Sequence, residues 1–241
     1  MKIVIKYPTR GRPGQFISVL NRYISFLSGK HEVHFVVSYD EDDVSMNNQA
    51  MKSMLSSISE QFGGRVHSYC GNSTGKIAAV NADYDKVMEL QPDVVVLASD
   101  DMIPIVSQYD DVIATHMEQN FPDMDGVLWF NDGFSGRDQL ITLSIAGRKY
   151  LERFGYLYHP DYQSVYSDNE FTDVAKMLNR YVYIDHVIIQ HNWIGATSPQ
   201  DPLHQRNESP HHYAHDRQVY EARKARNFDL MEAVDHVESQ A

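Results

Sequence analysis

The sequence has a single cysteine, Cys70, so it can close no internal disulfide and gather no thiolate cluster around a metal. Any bound metal must rest on oxygen or imidazole. No run of about 20 apolar residues of the kind that spans a bilayer is present. The N-terminus, MKIVIKYPTRGRP, has too short an apolar stretch and no small-residue cleavage site for a secretory signal, so a cytoplasmic location is the expectation. Basic residues are also scarce: 21 Lys and Arg stand against 33 Asp and Glu, for a formal net charge of −12. That balance argues against broad electrostatic capture of nucleic acid or of anionic membrane. The local basic stretches TRGR (9–12) and ARKAR (222–226) then read as phosphate contacts or solvated helix faces.

Apolar material is ample, at 42% of 241 residues, and it falls into runs of strand length. These are KIVIKY (2–7), EVHFVVSY (32–39), RVHSYC (65–70), DVVVLAS (93–99) and GVLWFN (126–131). Between them, Ile17, Leu20, Ile24 and Leu27, then Met51, Met54, Leu55 and Ile58, then Ala79, Ala82, Val87 and Leu90 recur at helical steps. Alternating strand and helix predicts an α/β fold with a mainly parallel, Rossmann-like central sheet flanked by helices. Ligands of such sheets bind at the carboxyl ends of the strands. The polar clusters PTRGRP, DEDD, GNSTGK and SDD follow the first four strands in turn, so they should share one edge.

After about residue 125 the strands shorten to GVLWFN, LITLSIAG and YVYIDHVIIQHNW, with a helix SDNEFTDVAKMLNR before the last. With no Gly/Ser- or Pro-rich linker, this half reads as an addition to the sheet. Residues 198–216, rich in proline and histidine, read as a long loop before a polar helix, DRQVYEARKARNF.

Each polar cluster carries chemistry. Asp100 and Asp101, ending a buried strand, need a cation or several donors. A divalent metal supplies the first, and N-capping of a following helix is the alternative. GNSTGK (71–76) fails as a phosphate-binding P-loop, having three residues between its glycines and Ile77 after the lysine. Lys76 remains available to phosphates or a base edge, or is simply solvated. Ser167 and Glu170 match the capping box S-x-x-E. Asp168, in the first turn of the same helix, is left over; the helix dipole would keep it ionised, as a general base requires. His191 ends a strand, and His211 and His215 have i,i+4 spacing without the Glu of a zinc peptidase; solvated loop histidines fit that stretch better.

In order, PTRGRP, VVSYDEDD, GKIAAVNADYDKVME, LASDD, YSDNEF and QHNW resemble the motifs of family 2 glycosyltransferases of the GT-A fold, over residues 2 to about 195. The resemblance implies inverting transfer from a nucleotide-diphosphate sugar, by default a UDP-sugar, assisted by Mn²⁺ or Mg²⁺. It implies a catalytic domain over 1–197, with a nucleotide-sugar half (1–104) and an acceptor half (105–197), and a C-terminal lid loop and helix over 198–241. Pro8, Thr9 and Arg10 would line the nucleotide pocket, Asp40 would accept from the base, and Lys76 and Asn81 would lie near the nucleotide. The family's D-x-D triplet is here Ser99-Asp100-Asp101. Asp101 would bind the metal and Ser99 the ribose, and Asp100 would count among the nucleotide-sugar contacts. Asp168 would be the catalytic base, with Ser167 in place of the usual glutamate, and His191 would complete the metal site. His204, Arg206 and Arg217 would close over the diphosphate. The acceptor would be a hydroxyl on a glycan or on a modified DNA base. The rival readings are a nucleotidyltransferase, against which PTRGRP lacks the usual GxGTR, and a non-catalytic sugar-nucleotide binding module, suggested by Ser99.

Overall fold

The computed structural model describes residues 1–135, 139–192 and 202–230. The first half comprises β1 (Lys2–Pro8), α1 (Pro13–Ser25), β2 (Glu32–Asp40), α2 (Gln49–Gln61), β3 (Val66–Gly71), α3 (Lys76–Asn81), α4 (Tyr84–Glu89), β4 (Val94–Leu97) and β5 (Met102–Pro104). The second comprises α5 (Tyr109–Asn120), β6 (Val127–Phe130), β7 (Ile145–Gly147), α6 (Arg148–Glu152), α7 (Ser167–Met177), β8 (Tyr181–Ile184), β9 (Ile189–His191), α8 (Pro202–Asn207) and α9 (Pro210–Lys224).

Seven strands form one sheet in the order β3-β2-β1-β4-β7-β6-β8. Only β7 runs antiparallel to its neighbours, so β6 points the same way as β1, β2, β3 and β4. Strand alternation splits the core in two. Ile3, Ile5 and Tyr7 of β1 face α1, α2 and α5, while Val4 faces Ile77, Val80 and Val87 of α3 and α4 and Tyr150 of α6. The later strands extend the same sheet. Of LITLSIAG only Ile145–Gly147 pairs, and YVYIDHVIIQHNW divides: β8 ends the large sheet, whereas β9 pairs with β5 in a separate two-stranded ribbon. Residue 193 and the loop 198–201 of the sequence-based assignment lie outside the described residues. No helix among the described residues is long and apolar enough to cross a membrane.

Lys6 shares the face of Val4 and is fully buried, its ammonium donating to Ser38 Oγ, which in turn donates to Asp83 Oδ2 at 2.5 Å. Burial lowers its pKa to about 8, with Asp83 opposing. Because the folded value lies below that of the unfolded chain, the unfolded state binds more protons between the two, and Lys6's contribution to stability grows as pH rises from about 8 towards 10. Wild-type protein is expected to gain about 2 kcal/mol relative to Lys6→Met between pH 7 and pH 10 in urea titrations. Parallel pH profiles for the two would contradict this assignment.

Candidate active site

The loops after β1, β2 and β4 do meet at one edge, tied together by charge. Arg10 places its guanidinium on Asp42 (2.6 and 2.8 Å) and on Asp40 (2.9 Å), and the Gly11 N–H donates to Asp43 at 2.7 Å. Asp40 also accepts from the Ser73 N–H at 2.9 Å, so two of its roughly four acceptor positions remain for another donor. Thr9 is held by its N–H to Ser38 O, and its hydroxyl is buried without a hydrogen-bond partner. Pro8 ends β1 opposite Ser38.

The adjacent aspartates escape mutual repulsion by turning apart. Asp100 pairs with Arg12 at 3.0 Å, while Gln15 clasps its carbonyl. Asp101 turns to His191, Oδ2 to Nε2 at 3.7 Å. No helix follows: the next residues are β5, so neither aspartate is an N-cap. Antiparallel pairing of β5 with β9 sets His191 opposite Met102, and the Asn192 N–H donates to Asp101 O at 2.8 Å.

On its other side His191 faces Asp132, Nδ1 to Oδ2 at 3.7 Å, and its backbone N–H donates to Asp132 O. Asp132 was not among the sequence candidates. The signal was there, since it follows a strand parallel to β1 and therefore lies at the same edge. Asp132 is 3% exposed, and although burial raises its pKa, His191, the Thr142 hydroxyl and the N–H groups of Phe134 and Ser135 together hold it far below the ordinary carboxylate range. Burial works against charge on Asp101 and His191 too. The pair nonetheless favours it, with Asp101 held down to about 2 by His191, Ser99 and Lys76, and His191 raised to about 9 by the two aspartates.

With its proton lost, His191 would join Asp101 in offering one nitrogen and one oxygen ligand, a set that suits Mn²⁺ or Mg²⁺ with the remaining positions filled by phosphate oxygens and water. Among the described residues no group of three or more His, Cys, Asp or Glu side chains could hold a metal ion by itself. An ion on Asp101 and His191 would therefore need its remaining ligands from water or a bound molecule. Ser99 donates its hydroxyl proton to Asp101, which leaves it only acceptor capacity towards a ribose.

Lys76 is exposed in the first turn of α3, and its charge acts on both Asp101 and Asp168. Asp168, on α7, is half-buried. Burial raises its pKa, with Lys76 and the Asn169 N–H only partly offsetting, so desolvation outweighs the dipole effect expected from sequence. A carboxylate so raised is a stronger base.

Three assignments change. Ser167 is not an N-cap: Tyr166 holds that position at φ 61°, and Glu170 instead forms a buried bidentate pair with Arg223. The Asn81 carboxamide is committed to the N–H groups of Leu157 and Tyr158 and to Tyr158 O, where it pins the loop around residues 157–158. Residues 202–207 and 210–224 are helical; Ser209 caps α9, and Pro210 sits where its missing N–H costs nothing. His204 and Arg206 lie on α8, and Arg206 is near enough to Asp42 to lower its pKa. Arg217 is turned to solvent on Glu221. His211 and His215 lie on α9, where His215 bonds Asp216.

Comparison of the sequence with protein-family models and with curated proteins finds no match. Solved structures do match. S. aureus TarS gives a TM-score of 0.60 at 14% identity, over 80% of this chain and 37% of its own. The mannosyltransferase PcManGT from Pyrobaculum calidifontis, in complex with GDP-Man and Mn²⁺, gives 0.57 at 15% identity, over 85% and 59%. S. aureus TarS 1–349 in complex with UDP-GlcNAc gives 0.55 at 15%, over 79% and 58%. The chain thus spans less than two thirds of the length of these proteins. At such identities the likeness is one of fold alone, the GT-A fold.

Proposed function

We propose that the chain is an inverting glycosyltransferase that moves a sugar from a nucleotide-diphosphate sugar to a hydroxyl acceptor. The observation that supports it most is the pairing of Asp101 with His191 at the carboxyl edge of the sheet, with the charge of Lys76 acting on both Asp101 and Asp168. UDP is the favoured donor nucleotide, as in the TarS complex, with GDP next, as in PcManGT.

In this reading the loop of Pro8, Thr9 and Arg10 and the carboxylate of Asp40 hold the nucleotide, with Lys76 directed at the diphosphate. Asp168 takes the proton of the acceptor hydroxyl, whose oxygen attacks the anomeric carbon while the bond to the diphosphate breaks on the opposite face. Configuration therefore inverts, and no covalent enzyme intermediate is needed. An ion on Asp101 and His191 would supply Lewis-acid stabilisation to the departing diphosphate. A glycan acceptor suits the net charge of −12 better than duplex DNA does.

A panel of nucleotide sugars with Mn²⁺, screened by thermal shift, tests donor recognition. A donor at a hundredfold excess over its Kd stabilises the fold by about 2.7 kcal/mol. Asp101→Ala is expected to remove the metal-dependent part of that shift. A panel without any stabilising donor would refute the donor-binding half of the proposal.

A further inference from the structure

We infer that Asp216, on the C-terminal helix α9, is a positioning residue that fixes the catalytic base Asp168 relative to Lys76; the inference rests on the transferase function proposed above. Asp216 is wholly buried. Its carboxylate accepts from three consecutive backbone N–H groups, those of Gln163 at 3.0 Å, Ser164 at 2.8 Å and Val165 at 2.8 Å, and from His215 at 2.8 Å. Those donors and burial act in opposite directions on its pKa, and the donors prevail, lowering it. The anchor is thus ionised where the chain would work.

The segment it holds joins the two sides of the site. Gln163 O accepts the Ile77 N–H at 3.2 Å, in the first turn of α3 beside Lys76. The packing there is close: a Cβ on Gly75 would stand 3.2 Å from Gln163 O, so the segment and the start of α3 fit each other only with little room to spare. At the other end of the segment Tyr166 enters α7 with φ 61°, a left-handed conformation rare for a bulky residue. Such a conformation persists where the surroundings over-determine it. Here α9 supplies the constraints: Asp216 clasps Val165, and the rings of Tyr213 and Tyr220 lie 6.4 and 5.6 Å from that of Tyr166. Asp168 follows two residues later. Releasing the clasp lets the start of α7 relax, and a base displaced by about 1 Å loses on the order of 10²-fold in rate.

The test compares Asp216→Asn, Asp216→Glu and Ser209→Ala. Ser209→Ala removes the cap of α9 and weakens the helix without touching residues 163–166. Asp216→Glu retains the charge and keeps the experiment readable where the Asn variant does not fold. Both Asp216 variants are expected to lose about 10- to 100-fold in kcat with the donor KM within about twofold of wild type. They should also lose amide hydrogen-exchange protection at Gln163, Ser164 and Val165. Ser209→Ala should lower Tm with kcat unchanged. Wild-type turnover matched by both Asp216 variants overturns the positioning role alone, as does a kcat loss that Ser209→Ala reproduces. Absence of any wild-type turnover overturns the transferase reading beneath it.

Discussion

Asp168→Asn is expected to lower kcat for sugar transfer by about 10²- to 10⁴-fold while donor affinity stays within about twofold. The substitution preserves shape and the hydrogen bond from the Asn169 N–H at 3.0 Å but removes the carboxylate that, in the proposed mechanism, takes the acceptor's proton. Burial raises the pKa of Asp168, and this has two consequences of opposite sign. In the wild type, kcat/KM should fall as pH drops through that raised value, because the protonated carboxyl cannot act as a base. Stability moves the other way. A carboxyl whose folded pKa lies above its unfolded one binds more protons when folded, so its ionisation at neutral pH costs stability, and Asp168→Asn should raise Tm while lowering turnover. Steady-state kinetics and thermal melts on one preparation read both. A variant that kept its turnover, or lost activity and stability together, would contradict the assignment.

The largest stability effect is expected at Arg223. Its guanidinium meets Glu170 through two hydrogen bonds of 2.8 and 2.9 Å, Glu170 also accepts from Tyr162 at 2.7 Å, and both partners of the ion pair are almost fully buried. Arg223→Met leaves the Glu170 charge buried with one hydroxyl for company, which costs about 3–5 kcal/mol. Adding Glu170→Leu should recover most of that loss, since a buried pair replaced as a unit by apolar side chains is often close to neutral. Urea titrations of the single and double variants measure the difference. A single-variant loss below about 1 kcal/mol would mean that α9 is not anchored there.

Much of this architecture is legible in the apolar runs. β1 to β4 and β6 lie where strand-length stretches predict them, and the parallel-sheet rule correctly brings PTRGRP, DEDD, GNSTGK and SDD to one edge. What the sequence hides is long-range polar pairing. Glu170 satisfies a capping box on paper, but its partner is 53 residues away. Asn81 lies in a family-like motif, yet its carboxamide is held by a loop 76 and 77 residues on. Helix α5 escaped notice because YDDVIATHMEQN has a weak apolar stripe, and its buried Asp110 instead caps the turn at Ser28. Proline and histidine made 198–216 look like a loop, although Ser209-Pro210 is a helix start. Of the site itself, Asp101, His191, Lys76 and Asp168 were all visible as residues. Their mutual placement was not, because it depends on β9 leaving the main sheet to pair with β5.

The most direct test is release of nucleoside diphosphate from a panel of UDP- and GDP-sugars with and without Mn²⁺, in wild type and Asp101→Ala. Metal-dependent release from at least one donor, faster with a hydroxyl acceptor and lost in Asp101→Ala, is the result expected. No release from any donor, or release indifferent to Asp101 and to the metal, would contradict the transferase assignment.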